Sequence, residues 1–322
     1  MQEELLKLED LSIQYKVKDG YLSAVNGVNC TINKGEVFAI VGESGCGKST
    51  VAHSIMKLLP GSNAEVTGKI IFKGNNLLEM NEEKIESVRG KEIGMIFQNP
   101  LDSLNPVYTV GGQIAEAIAL DHVDRVEAWN RVIELFKSVK MPDAEERVKS
   151  FPHELSGGMR QRVMIAMALA CNPELIIADE PTTALDVTIQ SQILELFKKL
   201  QRELNVTIIL ITHDMGVIAE TADSVIVMYA GRIVESGTTE QILNHPRHRY
   251  TKALIKAIPK LNEEQQVLEA IPGNIPSIYS IPSGCNFHPR CPFASQKCIE
   301  NVPELQLCDN RLVACFNLYD TE

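Results

Sequence analysis

The sequence predicts an α/β protein, because short apolar runs that suit buried strands alternate with longer segments that have the spacing of amphipathic helices. The apolar, partly β-branched run at 36–41 precedes a helical pattern at 51–59. The run at 175–180 precedes the amphipathic segment 189–204, and a third apolar run follows at 206–212. In an open α/β sheet, ligands bind at the carboxyl ends of such strands.

Two further regions predict a subdomain each. Residues 5–33 alternate between apolar and polar side chains, which predicts one or two antiparallel strands. Residues 110–150 have the pattern of charged helices, with Trp129, Ile133 and Phe136 on one predicted face. The expected division is a main domain at 1–257, with an antiparallel β subdomain and a helical subdomain at about 100–160, and a small Cys-rich C-terminal extension at 258–322.

The composition indicates an acidic globular protein. There are 31 Lys and Arg residues against 42 Asp and Glu residues, which gives a net charge of −11 at pH 7. This excess of acid is unfavourable for holding a nucleic-acid backbone, so no nucleic-acid partner is expected. No apolar run approaches the roughly 18 residues of a membrane-spanning helix, and the N-terminal residues lack a secretory pattern, so we expect a cytosolic chain.

The segment 42–50, GESGCGKST, has the form G-x-x-x-x-G-K-[ST] between a predicted strand and a predicted helix. Its glycines let backbone N–H groups turn inward around a chain of phosphates, which then face a helix N-terminus. Lys48 adds positive charge toward the β- and γ-phosphates, and the Ser49 hydroxyl can ligate Mg²⁺. An ordinary glycine-rich turn is the alternative. The predicted nucleotide-binding residues of this segment are Gly42, Glu43, Ser44, Gly45, Cys46, Gly47, Lys48, Ser49 and Thr50.

Two carboxylates end the apolar run at 175–180. Strand alternation sends the side chains of Asp179 and Glu180 to opposite sides, so the two acids can have different roles. Asp179 fits a ligand of Mg²⁺ beside Ser49, and Glu180 fits polarisation of an attacking water. Two solvated acids at a strand end would be the alternative, but four apolar residues precede them without a turn.

Two polar residues follow other predicted strands. Gln98 can reach a metal or a water from the end of its strand, and its alternative is a solvated turn residue. His213 follows the run at 206–212, at the sheet edge where ligands bind, which places it toward the γ-phosphate. A capping or packing role is the alternative for this histidine.

Ser156, Gly157 and Gly158 open a long predicted helix and indicate a second anion site. Ser156 is well placed as the helix N-cap. Two glycines are an unfavourable way to begin a helix, and close approach of the backbone to a ligand would explain them. A plain capped helix is the alternative.

An aromatic ring upstream of the phosphate-binding segment could stack on an adenine. Tyr15 and Tyr21 are the candidates, and we prefer Tyr15. Ordinary packing on a strand is the alternative for both rings.

Six motifs in chain order resemble the nucleotide-binding subunits of ABC-type membrane transporters over roughly residues 5–255. They are GESGCGKST, Gln98, LSGGM, LIIADE, TALD and His213. The resemblance implies a P-loop, RecA-like ABC fold in which two ATP molecules are sandwiched between two such subunits. By this resemblance, Asp186 would lie in the loop that joins the two sites, His213 would be the switch histidine, and Gln98 would couple the site to the membrane partner. The residues that would contact the ATP of the opposing subunit are Ser156, Gly157 and Gly158.

Four further motifs, given at the end of this paragraph, resemble those of the ATPases of oligopeptide and dipeptide importers. Relatives of these importers also import nickel or glutathione. One departure is His248-Arg249-Tyr250, where His-Pro-Tyr is expected. The resemblance implies ATP hydrolysis at the cytoplasmic face of the inner membrane. The implied partners are two permease subunits, a second ATPase subunit that is identical or homologous, and an extracellular solute-binding protein. The motifs are FQNPLDSLNP at 97–106, HPRHRYTKALIKAIP at 245–259, IPG at 271–273 and CNFHPRCPFASQKC at 285–298.

Two rival classes remain open on the sequence alone. A soluble ABC ATPase of DNA repair or translation usually has two cassettes or a long coiled-coil insertion, and this chain has neither. A P-loop kinase or GTPase does not need the second anion site at Ser156.

Four cysteines near the C-terminus, Cys285, Cys291, Cys298 and Cys315, match the number of thiolates that a [4Fe–4S] cluster needs. Zinc is the main alternative, but structural zinc sites usually have closer Cys pairs than this segment offers. Disulfides and merely structural thiols are the further alternatives. Relatives that this tail resembles include cluster binders. Cys308 could replace Cys315 as the fourth ligand. Because these cysteines lie far in sequence from the ATP motifs, we expect a folding or docking role and none in hydrolysis.

Overall fold

The computed structural model describes residues 3–18, 20–59, 61, 63–119, 124–183, 185–257 and 271–319. The chain divides into a first unit, Met1–Glu79 with Ile211–Glu322, and a second unit, Met80–Leu210. The domain boundary predicted after residue 257 falls at 258–270, outside the described residues.

Strands and helices alternate along most of the chain. The first, in chain order, are β1 (Glu4–Val17), β2 (Gly20–Asn33), β3 (Val37–Val41), α1 (Lys48–Ile55), β4 (Ala64–Phe72), β5 (Asn75–Asn76), α2 (Glu82–Val88) and β6 (Ile93–Ile96). Next come α3 (Pro100–Ser103), α4 (Val110–Ala119), α5 (Arg125–Ser138), α6 (Ala144–Arg147), α7 (Gly157–Ala168), β7 (Leu175–Asp179), α8 (Val187–Leu204) and β8 (Thr207–Thr212). The last are α9 (Met215–Thr221), β9 (Ser224–Tyr229), β10 (Arg232–Thr238), α10 (Thr239–Asn244), α11 (Arg249–Lys256), α12 (Gln296–Glu300), β11 (Gln306–Cys308) and β12 (Arg311–Val313).

An antiparallel sheet in the order β2-β1-β4-β5 belongs to the first unit, as the alternating N-terminal pattern predicts. Strand β1 buries Leu6 and Leu8 and then Leu11 and Ile13, so the buried positions change phase midway. Asp10, whose φ is 47°, lies where the register with β2 shifts. This bulge adds one residue and thereby keeps both apolar pairs on the buried side.

The first unit also contains strands in the order β11-β12-β10-β9-β3. Strand β3 runs parallel to β9, and all five of its residues are buried. Its Val41 packs in a core with Val227, Tyr229 and Tyr250, and Phe287 from the C-terminal residues belongs to the same core. Strand β12 pairs antiparallel with β10, so the described C-terminal residues extend this part of the sheet.

The second unit combines the parallel strands β6 and β7 with helices that pack around α7. The predicted helical region 110–150 is divided into α4, α5 and α6. The buried residues of α5 are Ala128, Val132 and Phe136, whereas Trp129 and Ile133 of the predicted face are half-buried. Both sets have the i, i+4 spacing of a helix face, so an error of one residue in phase changes the face.

Helix α1 begins at Lys48 and ends at Ile55, whereas the sequence pattern predicts 51–59. Lys57 has a φ of 48°, a left-handed conformation that cannot continue the helix. In the described parts of the chain, every helix is too short or too polar to cross a membrane.

Replacing Gly94 by Ala is expected to destabilise the second unit. A Cβ at this position in the buried strand β6 would lie 2.5 Å from the carbonyl oxygen of Ala168, at the end of α7. To relieve this steric clash, β6 and α7 must move apart, which costs about 1–3 kcal/mol of stability in a packed core. Gly112→Ala in α4 is the control, since its nearest neighbour is the movable hydroxyl of Thr109 and alanine favours helix. Thermal unfolding measures the difference, and equal midpoints for the two variants would contradict this packing.

Candidate functional site

The phosphate loop, residues 42–50, connects β3 to α1, as predicted. Lys48 is the first residue of α1 and is only 4% exposed. Its ammonium donates hydrogen bonds to the carbonyl oxygens of Gly42 at 2.7 Å and Glu43 at 3.0 Å. A buried cation needs such partners, and these two hold the charge beside the first turn of the loop.

Two glycines of the phosphate loop are required for different reasons. A Cβ on Gly42 would lie 2.2 Å from the carbonyl oxygen of Met228, so close approach to β9 excludes any side chain. Gly45 has a φ of 80° and is exposed, and no atom of the residues that the structure describes lies within 4 Å of the place a Cβ would take. Its backbone is therefore both in a conformation that favours glycine and open to a ligand.

Other residues of the first unit support the loop. Gly231 donates its N–H to the carbonyl of Cys46 at 2.9 Å, and the Cys46 side chain is buried. The hydroxyl of Tyr15 forms a hydrogen bond with Thr50, the last residue of the loop, and the ring is half-buried. Tyr21, the other candidate for stacking on adenine, is half-exposed and donates to Glu65. The preference for Tyr15 stays a prediction.

The two carboxylates at the end of β7 differ in environment. Asp179 is buried, at 3% exposure, and Glu180 is half-buried with a φ of 46°. The Glu180 carboxylate accepts hydrogen bonds from the Gln98 amide at 2.9 Å and from the Thr183 hydroxyl at 3.0 Å, both at the same oxygen. The structure therefore brings together Gln98 and Glu180, which the sequence places at the ends of different strands.

The start of α7 has the predicted cap, because the Ser156 hydroxyl accepts a hydrogen bond from the N–H of Met159 at 3.3 Å. The two glycines that follow are not equivalent. A Cβ on Gly158 would lie 2.7 Å from a methyl group of Ile189 in α8, so packing excludes it. Among the described residues, a Cβ on Gly157 would make only an ordinary 3.6 Å contact, so their packing does not explain this glycine.

The other two predicted site residues lie at helix and strand ends. Asp186 is exposed and caps α8, accepting a hydrogen bond from the N–H of Ile189 at 2.9 Å. His213 is exposed and directly follows β8.

Cys285, Cys291, Cys298 and Cys315 line one small cavity, which we call the thiol cavity, and Cys308 does not line it. Burial first, and then the charges of the neighbouring thiols, raise the pKa of Cys285 to about 11. All these cysteines are free thiols. Among the described residues, however, no group of three or more His, Cys, Asp or Glu side chains is arranged to hold a metal ion. The geometry therefore does not support the predicted [4Fe–4S] ligand set as it stands.

Sequence reasoning missed two residues that contact the phosphate loop. The Tyr250 hydroxyl accepts a hydrogen bond from the N–H of Glu43 at 3.0 Å. Arg290 holds the Glu43 carboxylate with both guanidinium ends, at 2.7 Å and 3.1 Å. Tyr250 lies in the His-Arg-Tyr motif and Arg290 directly precedes Cys291, so both belong to motifs that the sequence marks for other reasons.

Comparison with known proteins places this site in a family. Residues 25–183 match the family described as ABC transporter, and residues 234–298 match the one described as oligopeptide/dipeptide transporter, C-terminal region. The dimeric post-hydrolysis structure of the ATP-binding cassette MJ0796, bound to ADP and Pi, is 29% identical with a TM-score of 0.66. That match covers 73% of this chain and 99% of the other.

The phosphate loop, the paired carboxylates and this α/β fold define an ATPase of the ABC class. The oligopeptide transport ATP-binding protein OppD of Haemophilus influenzae is 49% identical over 295 residues, which cover 91% of each chain. The dipeptide transport ATP-binding protein DppD of Bacillus subtilis is 47% identical over 320 residues, 98% of this chain and 90% of the relative. The chain belongs to the ATP-binding subunits of the oligopeptide/dipeptide ABC transporter family.

Substitutions of Lys48 and of Glu180 are expected to have different effects. Lys48→Ala removes the buried cation of the loop and should abolish nucleotide affinity. Glu180→Gln keeps a side chain of the same size and should retain ATP binding, while turnover falls by a factor of about 10² or more. Calorimetric ATP binding and phosphate release measure the two effects. Glu195→Gln, at an exposed position of α8, is the control. Hydrolysis at the unmodified rate by the Glu180→Gln protein would contradict the assignment.

Proposed function

We propose that this ATPase binds and hydrolyses ATP at a site shared by two ATPase subunits, and thereby drives uptake of di- or oligopeptides through partner membrane permeases. The observation that carries the hydrolytic part is the Glu180 carboxylate, which is fixed by Gln98 and Thr183 directly after a buried strand. Peptides are favoured over nickel or glutathione because the relatives that match nearly the whole chain are named for peptide transport.

The phosphate loop would hold ATP through its backbone N–H groups and Lys48, which stabilise the charge that spreads over the phosphates. Hydroxyl, amide and carboxylate oxygens are the ligands that Mg²⁺ prefers, and Ser49, Gln98 and Asp179 supply one of each. These three residues would hold the ion, which supplies neutralisation of phosphate charge when bound. The Tyr15 ring would stack on the adenine.

Glu180 would polarise and orient the attacking water, because the Gln98 amide and the Thr183 hydroxyl hold its carboxylate in place directly after β7. A side chain that is already oriented loses little conformational freedom when it acts. His213, exposed after β8, would contact the γ-phosphate. Little covalent work is required of the protein in this chemistry.

The start of α7 would contact the ATP bound by the opposing subunit through Ser156, Gly157 and Gly158, with Asp186 in the loop joining the two sites. The support is Gly157, which is exposed and has room for a side chain within its own chain. A close approach by a phosphate from another chain would explain why glycine is used there. The relative MJ0796 has been solved as a dimer.

Excess chains with Ser156→Arg are expected to inhibit the unmodified protein. An arginine at this cap places a long side chain where the opposing ATP would bind, so each mixed dimer loses a site. ATPase activity should fall more steeply with the proportion of Ser156→Arg chains than simple dilution of the unmodified chains predicts. Ser87→Arg, at an exposed position of α2, is the control and should only dilute. A proportional loss with Ser156→Arg, after exchange of chains is demonstrated, would argue for independent monomers.

The expected partners are two membrane permease subunits and, indirectly, an extracellular solute-binding protein, with the ATPase bound peripherally at the cytoplasmic face of the inner membrane. The second ATPase subunit would be a copy of this chain or a homologue. Reconstitution of the complex with the binding protein tests the function directly. ATP-dependent uptake of labelled di- or oligopeptides, lost with Glu180→Gln, is the expected result. Uptake that continues without ATP would overturn it.

For the extension, 258–322, we propose that Cys285, Cys291, Cys298 and Cys315 ligate a [4Fe–4S] cluster, with zinc as the alternative. The support is that all four line the thiol cavity, whereas Cys308 does not. Because these thiols do not form a ligand group in the described part of the chain, ligation requires them to converge. The bound group would cross-link the loops of the extension, and no step of hydrolysis passes through it.

Anaerobic purification followed by iron, sulfide and zinc analysis tests this proposal. About four iron and four sulfide per chain are expected for a [4Fe–4S] cluster. Cys291→Ser should lose them, and Cys308→Ser should keep them because Cys308 lies outside the cavity. A colourless protein with one zinc and no sulfide would rule out the cluster, and metal-free protein would rule out both.

A further inference from the structure

The segment from Cys285 to Cys291, CNFHPRC, connects the thiol cavity to the phosphate loop. Its two end residues line the cavity. Between them, Asn286 donates to the carbonyl of Ala230 at 2.9 Å, directly before the glycine that supports the loop. Arg290 contacts the loop itself. Phe287 and His288 also line the cavity, so residues that line it alternate with residues that contact the loop or its support. A short segment that contacts both sites can transmit a displacement between them.

Arg290 is held at each of its guanidinium nitrogens. Its Nη1 lies 2.7 Å and its Nη2 3.1 Å from the two carboxylate oxygens of Glu43, the bidentate arrangement that is strongest for Arg. Its Nε donates to the carbonyl of Pro272 at 2.9 Å, and Nη1 also reaches the Tyr229 hydroxyl at 3.3 Å. The residue is only 7% exposed. The carboxylate that balances this enclosed cation is Glu43.

Glu43 is the second residue of the phosphate loop and is fixed at each of its polar groups. Its N–H donates to Tyr250, and its carbonyl accepts from Lys48 at 3.0 Å. Phe287, in the middle of the Cys285–Cys291 segment, packs against the Tyr250 ring with centroids 5.3 Å apart. The same segment therefore supports Glu43 through the aromatic core as well as through Arg290.

The sign of the charge at Glu43 matters because the loop must bind a polyphosphate. A bare carboxylate in the loop would repel the phosphates, and Arg290 offsets this charge. Loss of either member of this part-buried pair is unfavourable for folding. For nucleotide binding, however, loss of Arg290 leaves a negative charge beside the phosphates, whereas loss of Glu43 leaves a positive one. The two members of the pair should therefore affect nucleotide binding in opposite ways.

We propose that Arg290 is a positioning residue of the ATP site, which fixes and neutralises Glu43, so that the Cys285–Cys291 segment sets the affinity of the phosphate loop for ATP. This goes beyond the proposed function, which gives the extension no part in the ATPase reaction. A change at Cys291 reaches the nucleotide through the peptide bond that joins this residue to Arg290, whereas Phe287 and Tyr250 connect the middle of the segment to the loop.

A mutant cycle on the full chain tests the pair by calorimetric titration with ATP and Mg²⁺. Arg290→Met should weaken ATP binding about tenfold, within the usual range of coupling between sites. Glu43→Gln should bind ATP more tightly than the unmodified chain, since positive charge is left beside the loop. The double variant should recover most of the lost affinity. Arg290→Lys, which keeps the charge and loses the fork, should be intermediate.

A purely structural role for Arg290 gives another result. It predicts that both single variants weaken binding in parallel with a lower unfolding temperature and that Glu43→Gln does not rescue Arg290→Met. Asp309→Asn is the matched control, because it removes another ion pair of the extension, with Arg247, that does not touch the loop. If Arg290→Met does not fold, weaker ATP binding by Glu43→Gln than by Asp309→Asn would by itself overturn the proposal.

The link to the thiol cavity is tested with Cys291→Ser and Cys308→Ser. Cys291→Ser should weaken ATP binding in the unmodified background and have no effect when Glu43→Gln and Arg290→Met are already present, since the two changes would act through one path. Cys308→Ser should have no effect in either background. Unchanged affinity in Cys291→Ser would overturn the link. Metal analysis of the same samples separates this failure from failure of the cluster proposal.

Discussion

The phosphate loop imposes the constraint on which the rest of the structure depends, because backbone N–H groups that bind phosphates must stay uncovered. Side chains cannot fold over such a loop to stiffen it, so its support must come from underneath. The carbonyl of Met228 lies against Gly42, and the hydroxyl of Tyr250 accepts the N–H of Glu43. Both contacts come from residues after 211, which explains why the C-terminal half of the first unit packs with the N-terminal part. The outer side of Gly45 remains open.

The features that could be predicted from the sequence are those that depend on a few neighbouring residues. The strand, loop and helix around Lys48 and the cap at Ser156 belong to this class, since each is determined within about one helical turn. The phase of a long helix depends on its tertiary neighbours as well. That is why the sequence pattern favours a face of α5 on Trp129, although Ala128 and Val132 are the buried residues.

Pairs that are distant in sequence could not be predicted from local patterns. Gln98 and Glu180 are 82 residues apart, and the sequence indicates each only as a polar residue at a strand end. The resemblance to a family supplies their common site. Arg290 and Glu43 are 247 residues apart, and no local pattern distinguishes this arginine from a solvated one. The pair can be identified only from the fold, which brings the Cys285–Cys291 segment beside β9.

The position of the C-terminal residues explains why the Arg290–Glu43 pair can affect ATP binding. Phe287 belongs to the same hydrophobic core as Val41 and Tyr229, and β12 pairs with β10, so the described C-terminal residues share the core of the first unit. A segment with its own core could unfold or shift independently, but one that shares a core with the phosphate loop cannot move without altering the packing beneath that loop. Evolution of a separate function in this extension would therefore have to preserve ATP binding. Conversely, any ligand that orders the thiol cavity also acts on a loop that binds ATP.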